Sequence, residues 1–120
     1  MQHIWIVVGV VVAFVLLKAQ PMFAAKPDAR LSNEPQMEHA RRVVAQVWSR
    51  HGYLATVTSG NDSTHKAESL HYVGLAEDYR TRDVNPAHLP IMVEEVTIAL
   101  GGDYDVVLES DHLHVEYDPA

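Results

Sequence analysis

Two residues that can ligate a metal, His71 and Asp78, lie seven positions apart with Gly74 and Ala76 between them. A fully extended run of that length would hold the two side chains about 23 Å apart, so they can share a metal only if the backbone folds back. Gly74 permits such a turn because glycine adopts positive φ and lets another segment approach closely. The spacing therefore predicts a turn at Gly74 that brings His71 and Asp78 to one site.

A second group of ligand-capable side chains, Asp111, His112 and His114, lies close to the C-terminus. The chain has no cysteine, so thiolate metal sites and disulfides are both excluded, and zinc would have to be held by histidine and carboxylate. Two histidines and one carboxylate are a common ligand set for catalytic zinc, which keeps a fourth position for water. The chemistry indicated is hydrolysis by metal-activated water.

The first group resembles the SxHxxGxAxD signature of the zinc D-Ala-D-Ala carboxypeptidase family, which includes phage L-alanoyl-D-glutamate endopeptidases and has the peptidase-like fold of hedgehog domains. The fixed positions of that signature are filled by Ser69, His71, Gly74, Ala76 and Asp78. The resemblance runs from about residue 33 to residue 119 and includes Thr58-Ser59-Gly60, His65 and the C-terminal Asp111-His112-Leu113-His114. Two separated motifs in the right order are more specific than either motif alone.

This resemblance implies one zinc ion held by His71, Asp78 and His114, with an acidic residue three positions before the last histidine as the catalytic base. Asp111 occupies that position. In a regular strand over 111–117, Asp111 would point away from His114, so the role requires that the chain still be turning at 111–112.

Glu109, three residues before His112, is the alternative base if the register differs. His112 itself is expected either to donate a hydrogen bond to the developing oxyanion or to hydrogen-bond to a zinc ligand and hold it in place.

Three further residues are candidates for contact with substrate. Arg80 can bind a substrate carboxylate through paired hydrogen bonds, although an ordinary surface ion pair would also account for it. His65 lies in a polar loop, and Ser69 is expected to fix the turn through its hydroxyl rather than to act as a nucleophile. With a peptidoglycan stem peptide as the substrate class, the resemblance implies a carboxypeptidase or an endopeptidase, with a phage endolysin as one form.

Composition limits the other possibilities. The 120 residues allow one small domain after the N-terminal segment. A formal charge of −7 argues against nucleic acid as a partner, because such binding depends on lysine and arginine at phosphates. A second function class stays open, namely a non-catalytic domain of the same fold that binds zinc and a peptide or protein partner.

Residues 4–17 form an uninterrupted apolar run, short for a spanning helix and typical of a signal peptide or a weak membrane anchor. The sequence thus predicts three parts: a signal or anchor over 1–25, a linker over 26–32, and the zinc peptidase domain over 33–120. A cell-wall substrate would place that domain outside the cytoplasm, in contact with the membrane through its N-terminal segment. Lys18, Lys26 and Arg30, which follow the run, favour the opposite orientation.

The pattern of the domain predicts an α+β fold, with helices on one face of a largely antiparallel sheet. The first helix is expected to begin at an Asn33 cap with Pro35 in its first turn and to stop at Gly52. The second is expected to open at Asn85-Pro86 and to stop at Gly101. The expected strands cover 53–58, 79–82, 104–109 and 113–117, the last two joined by a turn at 110–111.

Overall fold

The computed structural model of the protein describes residues 22–60 and 74–119. Two helices, α1 (Pro35–Arg50) and α2 (Leu89–Leu100), accompany five strands. The strands are β1 (Phe23–Ala25), β2 (Ala55–Ser59), β3 (Ala76–Arg80), β4 (Tyr104–Leu108) and β5 (His112–Tyr117). They form one sheet in the order β1-β2-β3-β5-β4, in which β1 runs parallel to β2 and every other pair is antiparallel. The predicted α+β class and the mainly antiparallel sheet are confirmed.

The two helices lie on one face of this sheet and bury their apolar stripes there. On α1 the buried stripe includes Trp48 and Met37, at 1% and 0% exposure. On α2 the buried residues are Met92, Val96 and Leu100. The sheet contributes alternate side chains to the same core, namely Val57, Tyr79, Leu113 and Val115. Because strand side chains alternate between faces, their neighbours along the strands project from the opposite face.

The clearest differences from the predicted element boundaries are the starts of both helices and the position of β3. Helix α1 has Glu34 as its N-cap with no side-chain cap, so the predicted capping box at Asn33 is wrong. The Ser32 hydroxyl instead accepts a hydrogen bond from the Glu34 amide at 3.1 Å. The helix cap therefore lies one residue later than predicted.

Helix α2 begins at Leu89 rather than at Asn85. The Asn85 side chain accepts the Ala87 amide at 2.9 Å, and the Asn85 carbonyl accepts the His88 amide. These bonds close a separate turn before the helix. Strand β3 covers Ala76–Arg80 rather than 79–82, so Asp78 lies at the centre of a strand.

The turn residue Gly74 has φ +75, as its place between the two predicted ligands suggested. Its carbonyl accepts the hydroxyl of Ser32, and a Cβ there would lie 3.1 Å from that hydroxyl oxygen. A left-handed conformation with so close a neighbour favours glycine on both counts.

Residues 22–32 pack against the rest of the domain. Strand β1 pairs with β2, and the Lys26 amide continues the ladder to the Val57 carbonyl at 2.8 Å. The Ser32 amide donates to Glu77 Oε2 at 3.0 Å. The stretch predicted as a linker thus contacts both the sheet edge and the buried carboxylate of Glu77.

Glu77 is completely buried and faces α1, where it accepts two hydrogen bonds from the Arg41 guanidinium. The Tyr79 hydroxyl donates to Glu77 Oε1 at 3.0 Å. Burial together with the Glu77 charge raises the pKa of Tyr79 well above its usual value. Burial alone would lower the pKa of Arg41, but the bonds and the charge of Glu77 outweigh it and raise that pKa.

The apolar run over 4–17 lies outside the described residues. Within the part of the chain that the structure describes, no helix is long and apolar enough to cross a membrane.

Candidate metal centre

Register between β3 and β5 brings the predicted site residues together. Asp78 lies directly opposite His114, and Arg80 lies opposite His112. Directly opposite residues in an antiparallel pair have their side chains on the same face about 5 Å apart. That face is the one away from the helices, because Glu77 and Tyr79, the neighbours of Asp78, face α1 and the core.

The carboxylate of Asp78 lies at the centre of this group. Its Oδ1 is 2.9 Å from His114 Nδ1 and 3.7 Å from His112 Nε2. One ligand atom from each of the three residues lies within 4.8 Å of the others. Asp78 is 9% exposed as a residue, so the site is partly shielded from water.

Each histidine turns its second ring nitrogen towards a different carboxylate. His112 Nδ1 lies 2.7 Å from Asp111 Oδ1, and His114 Nε2 lies 2.7 Å from Glu116 Oε1. A histidine that ligates a metal through one nitrogen usually donates its other N–H to such a carboxylate, which fixes the orientation of the ring. The sites of Asp111 and Glu116 match that supporting role.

The donor types suit zinc, and two of the three donor separations can be compared with those of a zinc site. Donor atoms about 2.0–2.1 Å from a tetrahedral zinc ion lie about 3.3 Å from one another. The 2.9 and 3.7 Å separations around Asp78 Oδ1 fall on either side of this value. Imidazole nitrogen and carboxylate oxygen are both ordinary zinc ligands.

Without a metal, these contacts favour a proton on His114. The hydrogen bond to Asp78 raises the pKa of His114, partial burial opposes this, and the Glu116 carboxylate adds to the increase, so that the pKa lies at about 8. With a carboxylate at each ring nitrogen, both nitrogens act as donors in the protonated form.

A cleft of about 270 Å³ opens beside Asp78 and His112. Besides these two residues, its lining consists of Lys26, Thr58, Arg80, Arg82 and Asp111. A cleft that reaches the possible ligands gives a substrate access to them.

The predicted site residues fall into three groups. Asp78, His112 and His114 come together, and Arg80 and Asp111 line the adjacent cleft. Glu109 is exposed and is not among the lining residues of that cleft. His65, Ser69 and His71 lie outside the described residues.

Asp111 lies in the turn before β5, which begins at His112. This is the position that its predicted role as a base requires. Its side chain is 83% exposed, so it is open to solvent as well as to His112.

Three residues at or beside the site were not predicted. Glu116 shares a strand face with His112 and His114, and the alternation of β5 could have indicated it. Arg82 follows β3 closely, but no local pattern in the sequence indicates that it lines a cleft. Lys26 lies in the stretch predicted as a linker, and it lines the cleft only because β1 pairs with β2.

Comparison with known proteins gives no matching family model, and no curated protein matches the chain.

Proposed function

We propose that the protein is a zinc-dependent peptidase that cleaves a peptide bond in the stem peptides of peptidoglycan. The observation that carries this proposal is the arrangement around Asp78, where His114 lies at 2.9 Å with Glu116 behind it and a cleft opens alongside. The motif resemblance supports the substrate class.

Two of the zinc ligands in this proposal are Asp78 and His114. The third is His71, as the motif predicts, or His112, whose Nε2 lies 3.7 Å from the same carboxylate oxygen. Zinc bound there would supply a Lewis acid that polarises the scissile carbonyl and lowers the pKa of a water molecule to about 7.

Asp111 is the better placed of the two candidate bases. It lines the cleft next to His112, whereas Glu109 is not among the lining residues of that cleft. A carboxylate at position 111 would accept the proton of the attacking water and return it to the leaving amine.

The experiment is digestion of purified peptidoglycan by the zinc-loaded full-length chain, with the released fragments identified by mass spectrometry. Asp111→Asn should lower the rate at least about a hundredfold while zinc occupancy stays near normal, because an amide cannot accept the proton. Glu109→Gln is the matched control and should have little effect. The reverse ranking would make Glu109 the base.

A non-catalytic zinc domain that binds a peptide is the second candidate. It is favoured by the 2.7 Å contact between Asp111 and His112, because the proposed base is already hydrogen-bonded to a histidine. Absence of any cleavage by the zinc-loaded chain, with retention of stem-peptide binding, would support this candidate against the peptidase.

A cell-wall substrate requires that the domain be exported or anchored with its site outside the cytoplasm. Alkaline phosphatase fused after Ala120 tests this, because the enzyme is active only outside. A stable but inactive fusion would overturn the proposed location.

A further inference from the structure

An apolar patch lies where β1 and β2 begin, at one edge of the sheet. It consists of Met22, Phe23 and Leu54, which are 76%, 39% and 53% exposed. Phe23 pairs with Ala55 in the parallel register of the two strands. The residues one position earlier, Met22 and Leu54, therefore lie side by side, about 5 Å apart. The three side chains thus form one surface, although Leu54 is far from the other two in sequence.

The surrounding structure holds this patch in place. Arg41 on α1 lies over the Phe23 ring, 5.3 Å from its centre. Next to Leu54, the Tyr53 hydroxyl lies 2.8 Å from His88 Nδ1, which ties the start of β2 to the turn before α2. The patch is therefore a fixed part of the domain surface.

The sequence before the patch indicates what covers it. The apolar run over 4–17 ends only five positions before Met22. Five residues span at most about 18 Å, even when the chain is fully extended. A bilayer that holds the run therefore lies within reach of the patch.

Three partly exposed side chains would bind a bilayer weakly by themselves. A contact that is linked to an existing anchor forms at a high effective concentration, so it can be occupied even when each side chain contributes little. Apolar side chains that enter the interface of a bilayer also remove their surface from water. Attachment through residues 4–17 would therefore make this weak contact sufficient.

Charge beside the patch does not select a type of lipid. Arg82 lies at the same end of the sheet, because β3 runs antiparallel to β2, and its side chain is 73% exposed. Its neighbour Asp83 is also exposed and lies 4.0 Å from it. Because the two charges offset each other, the contact should depend on the apolar side chains, in neutral and anionic bilayers alike.

We propose that the patch of Met22, Phe23 and Leu54 packs against the lipid bilayer and sets the orientation of the domain on it. This proposal rests on the proposed membrane attachment of the chain and does not require peptidase activity. Thr58, which lines the cleft, follows Leu54 by four residues, about 13 Å along β2. The cleft would then open within about 13 Å of the contact, close to the membrane surface.

The test uses fluorescent labels at single positions, which is possible because the chain has no cysteine. Full-length chains with Leu54→Cys, Met22→Cys or Ile98→Cys are labelled with the NBD fluorophore and reconstituted in phosphatidylcholine vesicles. A matched set of vesicles contains lipids with a nitroxide quencher just below the headgroup. Ile98 is the control, because it is 74% exposed and lies about 15 Å along α2 from His88, away from the patch.

We expect quenching of the label at position 54 to be at least about threefold greater than at position 98. Position 54 decides the matter, because position 22 is close to the apolar run in any case, whereas Leu54 approaches the bilayer only through the fold. Met22→Asp should lower the quenching at position 54 at least about twofold, since it brings a charge into the contact. Ile98→Asp should leave it unchanged, and vesicles that contain phosphatidylglycerol should give the same results.

The outcomes separate this proposal from the others. Equal quenching at positions 54 and 98 in vesicle-bound chains would overturn the contact and leave the anchor standing. Failure of the chain to bind vesicles would overturn both. A signal at position 54 that depends on protein concentration without lipid would show that a second copy of the chain covers the patch instead. None of these measurements involves cleavage, so the peptidase function is tested separately by the digestion of peptidoglycan.

Discussion

At the scale of single residues, the strand alternation of β5 decides what each side chain can do. His112, His114 and Glu116 project from one face, and Leu113 and Val115 are buried on the other. Asp78, opposite His114 on β3, therefore meets two histidines and not one. His114 is closer to the Asp78 carboxylate than His112 is, by 2.9 against 3.7 Å.

The first prediction concerns the zinc ligands. Asp78→Asn, His114→Gln and His71→Gln should each abolish stoichiometric zinc binding by the full-length chain, measured by metal analysis after dialysis. His112→Gln and Glu116→Gln should lower affinity by only about 10–100-fold, the effect of losing a supporting partner. Glu94→Gln removes an exposed carboxylate from α2 and is the control.

Full zinc occupancy in His71→Gln, with loss in His112→Gln, would show that His112 is the third ligand. In that case the donor set would be the one the described residues bring together.

The second prediction is a pH dependence that differs in sign with and without metal. The pKa of His114 is raised from 6.5 to about 8 in the folded chain, chiefly by the hydrogen bond to Asp78 and also by Glu116. In the metal-free protein its contribution to stability is therefore fully present below pH 6.5 and is lost as pH rises through about 8. Zinc requires the unprotonated ring, so its affinity should rise by about tenfold per pH unit up to about pH 8 and then level off.

Competition titrations with a zinc chelator from pH 6 to pH 9 measure this profile. Glu116→Gln removes one of the charges that raise the pKa, so its profile should level off at a lower pH. A wild-type zinc affinity that does not change between pH 6.5 and 8 would contradict the prediction.

At the scale of the elements, one face of β3 packs into the core and the other carries residues of the candidate site. Asp78 and Arg80 face the cleft, whereas Glu77 and Tyr79 face α1 and the core. The buried pair of Glu77 and Arg41 therefore ties the strand that carries Asp78 to the helix behind it. Two charges in this location are unfavourable unless each satisfies the other.

The third prediction follows from that pair. Glu77→Gln should lower the free energy of unfolding by about 3–5 kcal/mol, because it leaves the Arg41 charge buried without its partner. Urea unfolding of the full-length chain measures the change. Arg41→Met in the same background should recover part of the loss, since the double variant removes both charges. A change below about 1 kcal/mol in Glu77→Gln would show that the pair is solvated.

Elements with a local sequence signal were predictable, and those that depend on distant pairing were not. The two helices and the hairpin of β4 and β5 depend on local sequence signals, and they were predicted. Strand β1 was not, because Phe23-Ala24-Ala25 has little strand signal of its own and exists by pairing with a strand that begins thirty residues later. The Ser32 contact that displaced the expected Asn33 cap is likewise set by tertiary packing.

For the candidate site, sequence spacing indicated possible metal ligands but not their neighbours. The motifs named Asp78 and His114, and register alone made them adjacent. The approach of Lys26 to the cleft depends on the parallel pairing of β1 with β2. Such a contact between distant segments has no local signature.

At the scale of the whole molecule, the N-terminal part of the described chain completes the domain. Strand β1 covers one edge of the sheet, and Ser32 contacts both Glu77 and Gly74. A domain of this size is marginally stable, with little to spare when such contacts are removed. If residues 1–25 were removed as a signal peptide, β1 would be lost and Lys26 would become the new N-terminus.

The last prediction compares three fragments that begin at residues 22, 26 and 33 and end at residue 120. The first should unfold in urea with a stability close to that of the full-length chain. The second lacks the β1 pairing and should be less stable. The third also loses the Ser32 amide, which donates a hydrogen bond to buried Glu77. That loss alone should cost about 1.5–3 kcal/mol, and together with the loss of β1 it should leave much of the population unfolded.

Circular dichroism and amide hydrogen exchange measure these effects. Exchange at the β2 amides should increase first, because β1 covers that strand. Equal stability of the fragments from 22 and 33 would mean that residues 22–32 contribute nothing to the fold, and Lys26 would then have no fixed place beside the cleft.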